Sequence, residues 1–235
     1  MKIITFSKYF VENANQLSSN TGYKVVYALD AGGSYCVFSA HDAAAELLEF
    51  QYKYDTSYCI YQSENMDSQF FTPAYVELLT NKRNIVLQYS PLIALQCKER
   101  HNITTHAFFD FDYPKIERNF KRKIDVLFFG TITKKRHDIL REIQNQFPKL
   151  EFYITSDLFH QQLEDTLLRT RFVLNISAYE NNALETHRIN KALACGCEVI
   201  TNYSDDNTMN GRYVDKLIFC GRTVWDYIKA IKQYV

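Results

Sequence analysis

The chain carries no excess of either charge: 27 lysines and arginines balance 27 aspartates and glutamates over 235 residues. Nonspecific grip on nucleic acid usually rests on a broad basic field, so this balance sets that partner aside. Two short basic runs remain, at 118–123 (RNFKRK) and 134–137 (KKRH), and the first reads as a solvated linker. Paired C-x-x-C hooks, which close a zinc site, are also missing. The six cysteines (Cys36, Cys59, Cys97, Cys195, Cys197 and Cys220) mostly sit inside apolar runs, as reduced, buried thiols do. No window approaches the ~18 consecutive apolar residues of a membrane span, and MKIITFSKYF lacks the length and small-residue cleavage site of a leader. These absences predict a cytoplasmic protein with no membrane span.

Signature loops are missing too. There is no Walker A loop, no G-x-G-x-x-G and no G-x-S-x-G, which argues against a kinase, a dehydrogenase of the dinucleotide-binding kind and an α/β hydrolase. The run HDAAAE at 41–46 lacks the second histidine of a zinc-protease helix. No internal repeat or low-complexity tract interrupts the chain.

What is present is alternation. Short β-branched and aromatic runs are separated by longer segments with helical spacing, the pattern of an α/β fold around largely parallel sheets. Strands are predicted at 2–6, 24–29, 35–39, 58–62, 84–89 and 105–109, with helices at 42–52, 73–81 and 91–100. Pro73 suits a first helical turn, where its missing N–H is no loss. Further on, strands fall at 124–129, 151–155, 172–176, 198–202 and 217–220, with helices at 135–147, 158–170 and 183–194 and a last one from Thr223. Between the halves, 110–123 is polar, contains Pro114 and ends in a charge cluster. The expected organisation is two Rossmann-like domains, 1–114 and 122–235. With 46% hydrophobic residues the length supports two small cores, but it is short for two complete domains of this type.

Ligands of open α/β sheets bind beyond the carboxyl ends of the strands, where helix starts offer free N–H groups. In the second half those ends carry Gly130, Thr131, Thr133 and Lys134, then Thr155 and Ser156, then Ser177, Tyr179, Asn181 and Asn182, then Asn202. Gly130 admits close backbone approach, and neighbouring N–H groups with Lys134 or Lys135 suit a phosphate. The stretch ALETHRINKALACGCEVI at 183–200 admits two readings. With Asn182 as N-cap, Glu185 completes a capping box and Arg188 is its surface partner. Alternatively, Glu185 holds a ribose diol and Arg188 a pyrophosphate. In the first half, Glu64 and His41 follow strands and qualify as general bases by topology, though each can equally cap a turn or helix. Asp110 and Asp112 can hold a divalent ion beside a diphosphate or belong to a linker that needs none.

The runs DVLFFGTITKKRHDIL (125–140) and FVLNISAYENNALETHRINKALACGCEVIT (172–201) resemble the donor-binding domain of GT-B glycosyltransferases, in the compact type of bacteria and large DNA viruses. YCIYQSENM (58–66) and TPAYVELLTNKRNIVLQYS (72–90) resemble the reduced acceptor domain of that type. The resemblance implies a two-domain enzyme moving a sugar from a nucleotide sugar to a glycan or glycoprotein acceptor across an interdomain cleft, with no cofactor and no bound metal; in a chain of 235 residues it further implies that the N-terminal domain is reduced or that a second copy of the chain completes the cleft. By position it implies Gly130 and Thr131 under the diphosphate, Tyr179 and Asn182 along the sugar and nucleotide, Glu185 at ribose or sugar hydroxyls, and Arg188 at the phosphates. One departure stands out. Many retaining members carry a pair of glutamates at fixed spacing around this helix, and Ala183 and Lys191 occupy those places here. Two rival readings stay open: a metal-dependent transferase using Asp110 and Asp112, and a non-catalytic module that binds nucleotide sugar or glycan.

Overall fold

A computed structural model describes residues 1–108, 113–117, 120–180 and 182–235. Contacts divide the chain into two compact units, Met1–Asp110 and Phe111–Val235, and both are parallel-sheet α/β structures.

The first unit runs β1 (Lys2–Thr5), α1 (Val11–Thr21), β2 (Lys24–Val26), β3 (Ser34–Phe38), α2 (Ala44–Tyr54), β4 (Ser57–Tyr61), α3 (Pro73–Thr80), β5 (Ile85–Gln88), α4 (Pro91–His101) and β6 (Thr105–Ala107). The strands pair in the order β2-β1-β3-β4-β5-β6, and each pairing is parallel. Parallel strands are covered on both faces, which explains why Tyr35, Cys36, Val37 and Phe38 are buried one after another. The reduction of this unit is visible between β2 and β3, where a helix-free loop at 27–33 makes the crossover past β1. Pro73 and Pro91 open their helices behind the caps Thr72 and Ser90, whose hydroxyls accept the backbone N–H of Tyr75 and Ile93. Helix α1 escapes the sequence pattern because its sequence, VENANQLSSNT, buries only Asn13 and Ala14 and so lacks an apolar stripe. Gly22 ends it at φ 72°, donating its N–H to Ser18 O.

The second unit runs β7 (Ile124–Phe129), α5 (Lys134–Gln146), β8 (Phe152–Thr155), α6 (His160–Leu168), β9 (Thr170–Asn175), α7 (Thr186–Ala194), β10 (Glu198–Asn202), α8 (Asn207–Tyr213), β11 (Ile218–Cys220) and α9 (Val224–Lys232). Helix α8 is an addition to the sequence expectation, a short element capped by Asp206, whose carboxylate accepts Met209 N–H. The order is β11-β10-β9-β7-β8, parallel throughout. One face of the sheet supplies Phe128, Phe172, Leu174 and Ile200 to a core closed by Leu140 and Ile143 of α5 and by Tyr227, Ile228 and Ile231 of α9. A capping box between Thr223 and Asp226 starts α9.

In this order β7 has its successor β8 on one side and β9 on the other, so the connections leaving β7 and β8 run in opposite directions. That makes the carboxyl ends of β7 and β9 the topological switch point, the place where open α/β sheets hold ligands. In the first sheet the equivalent reversal lies between β1 and β3.

Candidate functional site

The residues after β7, the residues after β9 and the start of α7 meet at the switch point of the second sheet, and a buried arginine ties them together. Arg136 is 2% exposed. Its Nε donates to Ile176 O at 2.8 Å, its Nη1 to Thr131 O at 3.0 Å and its Nη2 to Glu185 Oε1 at 2.7 Å. Thr133 caps α5, accepting the Arg136 N–H, and this turn carries the guanidinium inward. In sequence Arg136 belongs to the run KKRH, where spacing alone does not separate an inward arginine from its solvated neighbours. Its helical phase with Leu140 and Ile143, both buried, is the available signal.

Arg188 approaches the same carboxylate from α7. Its Nη1 lies 2.5 Å from Glu185 Oε2 and donates to Asn175 Oδ1 at 3.2 Å, and its Cζ stands 5.5 Å from the Phe129 ring centroid and 5.9 Å from that of Phe128. Asn175 is held in turn, its Nδ2 donating to Thr201 Oγ1 at 3.0 Å. Gly130 follows β7 at φ 123°. A Cβ there would sit 3.0 Å from Arg188 Cζ and nearer still to Nη2, so only glycine leaves room for the guanidinium. Gly130 and Arg188 thus share one place.

Of the two readings of 183–200, the capping box fails. Helix α7 begins at Thr186, three residues later than the sequence pattern suggests; Glu185 is itself the N-cap and makes no side-chain cap bond. Two guanidinium groups outcompete a backbone N–H for its carboxylate because charge-assisted pairs are the stronger bonds. Burial pushes the Glu185 carboxyl up, but Arg188 and then Arg136 outweigh it, so it lies below its ordinary value. Burial brings the Arg188 guanidinium down against the pull of Glu185. His187, between them in sequence, is driven down to about 4 by burial and by Arg188, so it is neutral at pH 7. Two guanidiniums and one carboxylate leave one positive charge in excess.

Other sequence candidates fall differently. Lys134 is 91% exposed at its side chain and pairs with Asp138 at 2.8 Å on the outer face of α5, apart from the arginine cluster. The Gly130 N–H donates to Thr155 O at 3.1 Å, so it is not the amide that would meet a phosphate. Asn182 is buried and anchored to 205: its N–H donates to Asp205 Oδ2 at 3.1 Å and its carbonyl accepts the Asp205 N–H at 3.0 Å. Its Oδ1 has no hydrogen-bond partner among the described residues. Arg222 braces this loop through Asp205 Oδ1 at 2.6 Å and Glu180 O at 2.9 Å. Tyr179 is at the exposed edge of the same loop. Lys191, in one of the places where the resemblance would put a glutamate, is buried against Glu164 at 2.8 Å. Asp110, Asp112, Arg118 and Asn181 lie outside the described residues. Among the described residues no group of three or more His, Cys, Asp or Glu is placed to hold a metal ion, and no helix is long and apolar enough to cross a membrane.

In the first unit the two base candidates stand together. His41 lies in a 3-10 turn after β3, entered through Ser39 at φ 54°; Glu64 follows β4. His41 Nε2 is 3.5 Å from Glu64 Oε1 and 3.5 Å from Asp42 Oδ1. Phe70 and Tyr75 enclose the imidazole, with centroids 5.1 and 5.8 Å away, and Ser68 Oγ donates to Glu64 Oε2 at 3.1 Å. The Tyr75 phenol is raised well above its ordinary value by burial and by Glu64. The sequence marks His41 and Glu64 separately; their proximity follows from the adjacency of β3 and β4.

No protein-family model matches the chain, and no curated protein does. Among solved structures the chain is similar to an alpha-glucosyltransferase in complex with UDP and a 13-mer DNA containing an HMU base, with a TM-score of 0.52 and 11% identity over 99% of this chain and 89% of that one. At that identity the likeness shows the fold: two Rossmann-like units of the GT-B kind.

Proposed function

We propose that the chain is a glycosyltransferase that takes a sugar from a nucleotide-sugar donor to a hydroxyl acceptor without a bound metal. The observation that carries this reading is the cluster at the switch point of the second unit, where Arg136, Glu185 and Arg188 hold one excess positive charge beside a glycine that keeps the backbone clear. A diphosphate is the complement of that cluster. Arg188, paired with a carboxylate that Arg136 already satisfies, is the group available to a phosphate oxygen. During transfer, negative charge grows on the departing diphosphate, and a guanidinium held in a poorly solvated place stabilises it without reorganising. Thr131 lies under the diphosphate, and Asn182, whose side-chain Oδ1 has no hydrogen-bond partner among the described residues, and Tyr179 serve the nucleoside or sugar.

The acceptor hydroxyl must lose a proton, and the Glu64–His41 pair of the first unit is assigned that task. Glu64 is the more exposed partner, 19% against 7% at the side chain, and His41 Nε2 stands 3.5 Å from its Oε1, so the Glu64 carboxylate receives the proton and His41 orients it. A glycan or glycoprotein is the proposed acceptor class. The exclusion of nucleic acid on charge balance does not extend to acceptors, because the solved neighbour holds DNA; DNA containing an HMU base belongs in the acceptor panel. The test is thermal stabilisation by UDP-, GDP- and dTDP-sugars, followed by transfer from whichever donor stabilises. A donor at a hundredfold its Kd adds about 2.7 kcal/mol. A melting temperature indifferent to every member refutes the reading.

A further inference from the structure

Cys36 and Cys59 are register partners on the paired parallel strands β3 and β4. Register partners point to the same face, and paired strands lie ~4.8 Å apart, inside the Cα separation of about 4.4–6.8 Å that a disulfide spans. Both are free thiols, Cys36 buried and Cys59 half-buried. The other cysteines lie elsewhere: Cys97 Sγ is 3.5 Å from Met66 Sδ, Cys197 Sγ donates to Leu167 O at 3.1 Å, and Cys195 and Cys220 are buried in the second unit. Beyond the pair, β3 leads to His41 and β4 to Glu64, each the same number of residues downstream of its cysteine.

We propose that Cys36 and Cys59 form a reversible disulfide in response to a hydroperoxide, and that the bridge alters the His41–Glu64 pair carried by the same two strands. The hydrogen bond from Cys36 holds the Cys59 thiol below its ordinary value, while that bond and burial push Cys36 up, which divides the pair into attacking and resolving sulfur. The Cys59 thiolate attacks the peroxide O–O bond, giving a sulfenic acid and releasing water, or an alcohol from an organic hydroperoxide. Cys36 Sγ then displaces the sulfenic oxygen as a second water, forming the S–S bond; two electrons pass from the sulfurs to the peroxide. Side chains on neighbouring parallel strands stand side by side, and pulling two sulfurs into bonding distance distorts the pair. Such a bridge is easily reduced, a switch more than a staple.

The test uses the reduced full chain and hydrogen peroxide, with thiols counted after denaturation, peptides mapped by mass, and the His41 ring protons followed by NMR against a His41→Gln reference. Two of the six thiols should disappear into one Cys36–Cys59 link, the His41 signals should move with it, and dithiothreitol should reverse both. Cys36→Ser should leave a dimedone-trappable sulfenic acid at Cys59 and unmoved His41 signals. Survival of all six thiols, a link between other cysteines, or a bridge that leaves His41 unmoved overturns the proposal. None of these readouts needs turnover, so a failure of the transferase reading, seen in the donor screen, is recorded separately.

Discussion

Replacing Arg188 with alanine separates a ligand-binding cation from a structural one. The substitution removes the contacts to Glu185 Oε2 at 2.5 Å and Asn175 Oδ1 at 3.2 Å. Glu185 keeps Arg136 at 2.7 Å, so its carboxylate is not orphaned. The expected cost in stability is that of a lost charged hydrogen bond, about 1.5–3 kcal/mol. Removing the carboxylate instead is worse: Glu185→Ala leaves two guanidiniums facing each other in a poorly solvated place, the case in which breaking a buried ion pair costs about 3–5 kcal/mol. On the ligand side the order reverses. Arg188→Ala cancels the cluster's excess charge and should weaken diphosphate binding by about 1.5–3 kcal/mol, roughly 10- to 150-fold in Kd. The measurement is calorimetric titration with UDP, GDP and dTDP, alongside urea melts of the unliganded protein. Undiminished affinity for the nucleotide that binds wild type would make Arg188 a fold-stabilising residue and remove the observation on which the transferase reading rests.

Gly130→Ala forces a side chain against the Arg188 guanidinium at a backbone φ of 123°, so about 1–3 kcal/mol of strain plus disturbed pairing is expected in a urea melt; in the Arg188→Ala background the steric part should vanish, and additive costs would contradict the contact. Glu185→Gln keeps the shape but loses the negative charge, and should lower stability while reducing donor affinity; an unchanged affinity would show that Glu185 serves only the fold. Glu64→Ala should slow turnover by about 10²–10⁴-fold with little change in donor affinity, and full retained rate would exclude it as base. His187, folded at about 4 against an ordinary 6.5, takes up its proton more readily when unfolded, so stability should fall as pH drops from about 6.5 to about 4, by up to roughly 3 kcal/mol. His187→Gln should flatten that part of the stability–pH profile; an unchanged slope would assign the loss to other groups.

Much of the α/β architecture was written in local pattern. Buried parallel strands must be apolar over consecutive residues, so IDVLFF and EVITN announce themselves at the bounds the structure adopts, 124–129 and 198–202. Helices whose apolar residues recur on one face, such as α5 and α9, are legible for the same reason. Periodicity is silent where an element buries little, as in α1, or is as short as α8. The candidate site divides along the same line. Gly130, Glu185 and Arg188 could be named because strand ends and helix starts are where α/β sheets hold ligands, a rule that needs only chain order. Three things waited for the tertiary structure. Arg136 turns inward from a run of surface cations because the carbonyls of Thr131 and Ile176, distant in sequence, meet at the switch point. Glu185 abandons helix capping because two guanidiniums converge on it. His41 and Glu64 become a pair because β3 and β4 are adjacent in the sheet. A chain's own sequence records which residues prefer strand or helix, whereas charges far apart along it interact only once the sheet order brings them within a few ångströms, where Coulomb attraction in a poorly solvated place outweighs local preference.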